Sequence, residues 1–105
     1  MGAEKGTPYF EEGRRLRWLR QAEGIKTGTE FAARFNWGQP GYSQFETGHR
    51  RVPAGKVIQL VAQIPGFDPL YLWNGEKKGL SFDLRRRIEA EEAKDAPANS
   101  SRRKR

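Results

Sequence analysis

The feature that most constrains this chain is its helix punctuation. Gly24, Asn36, Gly48, Pro65-Gly66 and Asn74-Gly75 recur along the body of the sequence. Glycine and asparagine are the residues that most readily take the left-handed conformation that closes a helix, and proline cannot continue one. Between these stops the apolar residues fall three and four apart, with no strand-like alternation of useful length and no internal repeat. The chain is therefore expected to be all-α and built from short helices.

The starts of those helices are legible as well. Thr7-Pro8 reads as an N-cap followed by proline in the first helical position, opening a helix that runs to about Glu23 with Leu16 and Leu19 inward. Thr27-Gly-Thr-Glu30 fits a capping box, and the helix behind it buries Phe31, Ala32 and Phe35 before Asn36 stops it. Only Trp37 and Gly38 separate it from the next helix. Two helices joined so tightly cross steeply, as in a helix-turn-helix. Trp37 is expected to plug the core. Beyond Pro53 the most apolar helix spans about 54–64, with Val57, Val61 and Ile64 at i, i+4 and i+7 and Ile58 and Leu60 beside them. Asp68-Pro69 caps a brief fifth helix, and a last one is expected from Ser81 through Leu84 and Ile88.

Length and composition exclude much. The 105 residues hold one small domain and its tails, with no cysteine and a single histidine, His49, so neither a disulfide framework nor a usual metal cluster is expected. No apolar run approaches the ~20 residues of a membrane span, and MGAEKGTPYF lacks the order of a signal peptide, so the expectation is a cytoplasmic protein. Gly6 stands where a myristoylation signal would carry Ser or Thr. No phosphate cradle, nucleophile-base set or paired carboxylates stand out, so no enzyme and no cofactor are expected. The net charge is +7, with Arg14, Arg15, Arg17 and Arg20 in the first helix and a run of cations ending SSRRKR. Such a balance favours a polyanionic partner, most often nucleic acid.

The stretch GQPGYSQFETGHRR, residues 38–51, carries the sharpest signal. Tyr42 and Phe45 point to one side and anchor the helix. Pro40 is tolerated in a first turn, where no intrahelical amide bond is lost, and Gly41 lets the backbone approach a ligand closely. The free amides and dipole at such a helix start favour phosphate. The outward residues Gln39, Ser43 and Gln44 are amides and a hydroxyl, groups that can hydrogen-bond base edges, glutamine pairing most readily with adenine.

These residues carry a resemblance. Leu19-Arg20-x-x-x-Gly24, Phe31-Ala32, the run from Tyr42 to Gly48, Arg50, Pro53 and the closing LYLWNG stand in the order and at the separations of the Cro and phage-repressor type of helix-turn-helix domain. The resemblance covers about 14–75. It implies a small five-helix, lambda-repressor-like bundle, with room for one extra C-terminal helix. Residues 1–13 would be an extension and the start of helix 1, 76–94 a linker and that extra helix, and 95–105 a disordered basic tail. The family pattern implies Arg20 and Glu46 as a buried ion pair between helices 1 and 3. It implies base contacts from Gln39 and Gln44, with Ser43 a lesser candidate, and phosphate contacts from Thr47 and Arg51. Arg50, Thr29 and the Gly41 backbone join this DNA-binding set, and His49 sits in the same basic loop.

The chain departs from the family at Gly28, where a glutamine usually touches phosphate, and at Asn36, where glycine is usual. The function expected is a sequence-specific regulator, a repressor binding a palindromic operator in double-stranded DNA as a dimer, with helix 3 in the major groove. Leu80, Leu84 and Ile88 could supply the dimer or another protein contact, or pack on the domain itself. The competing readings are an adaptor or antitoxin-like phage accessory protein that keeps the fold without reading sequence, and a sequence-blind binder driven by the basic tail.

Overall fold

The computed structural model describes residues 6–95, without the side chains of Gln39 and Pro40. Within them lie six helices and no strand: α1 (Phe10–Ala22), α2 (Gly28–Phe35), α3 (Gln39–Thr47), α4 (Ala54–Gln63), α5 (Pro69–Asn74) and α6 (Phe82–Lys94). The punctuation works as the sequence implies. Gly24, Gly48, Gly66 and Gly75 all have positive φ, and Asn36 is the one non-glycine residue among those described that does, at φ 62°. Thr27 caps α2 by accepting from the Glu30 N–H at 3.1 Å, and Ser81 caps α6 by accepting from Leu84.

The start of α1 differs from expectation. Thr7 and Pro8 form a turn, and the helix begins at Phe10 behind Tyr9. The reason is tertiary. The Tyr9 N–H donates to the Gly48 carbonyl at 2.9 Å, which draws the chain off the helical path and across the end of α3.

Helix α1 is the hub, packing against α3, α5 and α6, while α2 packs on α3 and α4 on α5. Gly13 permits the α1–α3 crossing, since a Cβ there would stand 2.5 Å from the Glu46 carbonyl oxygen. The core holds the expected Leu16, Leu19, Phe31, Ala32, Phe35, Trp37, Tyr42, Phe45, Val57 and Ile64. Val61 is not in it. Val57, Leu60 and Ile64 form the buried stripe of α4, while Val61 is 42 % and Ile58 67 % exposed. The i, i+3, i+7 set and the i, i+4, i+7 set are both apolar in this helix. Only one can face inward, and packing on the rest of the domain selects the one containing Leu60.

Helix α6 uses Leu84 and Ile88, with Leu80 just before it, to pack on the domain's own core, where all three are buried. It is also tied to α1 by hydrogen bonds. Asp95 accepts from the Trp18 indole N–H at 2.6 Å and from Arg17 at 2.7 Å, and Arg87 donates to the Ala22 carbonyl that ends α1. The expected tail boundary therefore moves: Asp95 belongs to the folded body, and 96–105 lie outside the described residues. Burial opposes ionisation of Asp95, but the bonds from Trp18 and Arg17 outweigh it and hold the carboxyl below its ordinary range.

Candidate nucleic-acid interface

The inner side of α3 is fixed by rings and by charge. Phe31, Phe35, Trp37, Tyr42 and Phe45 form one aromatic cluster, with ring centroids from 4.7 Å (Phe31–Phe35) to 6.4 Å (Tyr42–Phe45). The Trp37 indole donates to Gln59 Oε1, and Gln59 donates back to the Phe35 carbonyl, so the turn between α2 and α3 is bolted to α4.

Beside the rings lies the expected ion pair. Arg20 Nε meets Glu46 Oε2 at 2.6 Å, with the two side chains only 7 % and 13 % exposed. Its Nη1 donates to the carbonyls of Ile25 and Lys26, closing the turn after α1, and the Tyr42 hydroxyl donates to the same Glu46 carboxylate. Burial, then the neighbouring Glu46 charge, pushes the Tyr42 phenol far above its ordinary range, so it stays a donor at any physiological pH. One buried network therefore spans α1, the loop after it and α3.

The outer side is polar and open. Ser43 and Gln44 are exposed, as is Thr29 in the first turn of α2. Apart from its chain neighbours and its own helix backbone, no described atom lies within 4 Å of the place where a Cβ on Gly41 would stand. Packing within the chain thus makes no demand for glycine there, and the surface stays clear for close approach from outside. Gln39 opens α3, but its side chain lies outside the described residues. Thr47 is half-buried and its hydroxyl donates to the Ser43 carbonyl at 3.0 Å, with His49 Nδ1 at 2.9 Å on the same oxygen. In the loop that follows, Arg50 lies over the Phe45 ring at 5.8 Å. Arg51 is exposed and faces Glu12. The structure thus puts Ser43, Gln44, Arg50 and Arg51 on open surface, and Thr47 partly within its own helix.

Comparison with known families finds a helix-turn-helix domain over residues 13–69, more than half of the chain. The chain belongs to the helix-turn-helix domain family. No curated protein and no solved structure matches it. The tight turn of the helix-turn-helix joins α2 and α3 here, and membership of the family points to DNA binding.

The departure at Gly28 now has a physical reason. A Cβ at Gly28 would stand 2.8 Å from the Tyr42 ring. In this helix-turn-helix the ring lies flush on the start of α2 and no side chain fits between them. Tyr42 is a large core residue, and glycine is its complement.

Sequence reasoning missed two parts of the site. The first is the segment before α1, whose Thr7 hydroxyl donates to the Thr47 carbonyl at 3.3 Å while Tyr9 reaches Gly48. The second is Glu12, a buried carboxylate with Oε1 3.7 Å from Arg51 Nε. Burial raises its pKa above the ordinary value, against the lowering effects of Arg51 and the Val52 backbone N–H. A glutamate in a first helical turn is normally a solvated partner of the helix dipole, so no sequence signal marked it. Among the described residues there is no group of acids and histidine able to hold a metal, and no helix long and apolar enough to cross a membrane.

Proposed function

We propose that the protein is a transcriptional regulator, a repressor, that binds a palindromic operator as a dimer with α3 in the major groove. The observation that carries this reading is the division of α3: Tyr42 and Phe45 are buried on one side, while Ser43 and Gln44 stand exposed on the other beside the open Gly41. In this reading Gln44, with Gln39 and Ser43, reads base edges. Thr29, Thr47, Arg50 and Arg51 contact the backbone together with the free amides at the start of α3. The protein acts by binding and not by catalysis.

A single recognition helix touches few bases, so two copies on half-sites about one DNA turn, ~34 Å, apart are the natural arrangement. Because Leu80, Leu84 and Ile88 are spent inside the domain, the dimer contact needs another surface. The exposed Ile58 and Val61 of α4 and Leu70 and Trp73 of α5 supply the apolar area for one.

Selection of bound sequences from a random duplex library tests the reading. Enrichment of one palindrome supports it. Weak, salt-sensitive binding without enrichment supports the adaptor instead. Gln44→Ala should lower discrimination between the selected operator and random duplex by ~1–3 kcal/mol. Equal losses on both DNAs would contradict base reading by Gln44.

A further inference from the structure

Residues 6–12 precede the family match, yet they touch the part of the domain that faces DNA in the reading above. Thr7 and Tyr9 cover the carbonyls of Thr47 and Gly48 at the end of α3. Gly48 approaches so closely that a Cβ there would stand 2.5 Å from the Thr7 hydroxyl. The next turn presents Glu12. That residue is 7 % exposed, its Oε1 lies 3.7 Å from Arg51 Nε, and its Oε2 has no hydrogen-bond partner.

Neither stability nor charge explains a carboxylate in this place. Burying it is costly unless it is well paired, and a separation of 3.7 Å is longer than a hydrogen bond. A negative charge behind a DNA-facing loop also opposes phosphate. The geometry offers a third account. Glu12 faces Arg51 through Nε, the part of the guanidinium nearest the main chain, so its charge bears on the base of that side chain and not on its tip. The Arg51 side chain is otherwise 58 % exposed, which leaves its terminal nitrogens as a fork for an anion.

We propose that Glu12 is a positioning residue for DNA, aiming Arg51 at a backbone phosphate from the segment that precedes the matched domain. The proposal rests on the reading of this surface as a DNA interface. The test is binding of the full chain to a random-sequence duplex, followed by fluorescence anisotropy over a salt series, because a phosphate contact is independent of sequence. Glu12→Gln keeps the size and shape of the side chain and removes one negative charge.

The expected result is weaker binding by roughly fivefold, about the worth of one ordinary hydrogen bond, even though the protein becomes more cationic. Arg51→Ala should weaken binding and reduce the salt slope by about one. The double variant should bind no more weakly than Arg51→Ala, and Glu12→Gln should melt no lower than the parent. Tighter binding by Glu12→Gln would overturn the proposal, since Glu12 would then merely repel phosphate. An equal loss in the Arg51→Ala background would overturn it too, since Glu12 would then act through the fold. If Arg51→Ala changes neither affinity nor slope while Gln44→Ala still costs discrimination, Glu12 loses its role and the reading of α3 stands.

Discussion

At the scale of single residues, Arg20 shows how one side chain can be worth more than its charge. It holds Glu46 at 2.6 Å and closes the turn at Ile25 and Lys26, and Tyr42 shares the same carboxylate. Truncating it leaves the Glu46 carboxylate buried without its counter-charge and two carbonyls without a donor. We therefore expect Arg20→Ala to cost ~3–5 kcal/mol in urea unfolding, far more than breaking an exposed pair such as Arg85–Glu89. A loss as small as that of the surface pair would mean that water reaches Glu46. The family pattern names the two partners of this pair. The Tyr42 hydroxyl and the carbonyls of the turn were not legible, because hydrogen bonds from a core tyrosine depend on where its ring ends up.

At the scale of elements, the helix-turn-helix shows a substitution that reads as a defect until its neighbour is seen. Gly28 removes a side chain from the first turn of α2, and sequence alone suggests a lost phosphate contact. The Tyr42 ring occupies that space instead. Restoring the family's residue with Gly28→Gln should therefore destabilise the domain by ~1–3 kcal/mol through overpacking, despite the better helix propensity of glutamine. Thermal melting checks this. A rise in melting temperature would show that the ring moves aside freely. Helix α4 makes the complementary point. Its two apolar stripes are equal candidates in a one-dimensional pattern, and the choice of Leu60 over Val61 was made by packing on the rest of the domain.

At the scale of the whole molecule, the family match ends at residue 69 but the folded body does not. Helix α5 is tied to α1 by Arg15, which donates to the carbonyls of Leu72 and Trp73. It is tied to α6 by Tyr71, which shares the Glu92 carboxylate with Lys77 of the loop that follows α5. Helix α6 lies along α1 with Leu84 and Ile88 fully buried. It is thus part of the core and not an appendage. Leu84→Ala should cost ~2–5 kcal/mol, as expected for a buried leucine, with a single cooperative transition by both circular dichroism and tryptophan fluorescence. An unchanged melting curve would mean that α6 folds apart from the rest.

The sequence by itself determined the elements. Left-handed glycines, an asparagine stop, threonine and serine caps and helical apolar spacing act within a few residues, so local chemistry suffices to place all six helices to within a residue or two. It also determined the two-sided character of α3, since Tyr42, Ser43, Gln44 and Phe45 are neighbours on one short rod. Tertiary structure decided what local chemistry leaves equal: which stripe of α4 is buried, whether Leu80, Leu84 and Ile88 serve this core or another surface, why Gly28 is glycine, and what Glu12 faces. Each of these is a choice between alternatives that cost the same within a single helix, and only contact with a second helix separates them.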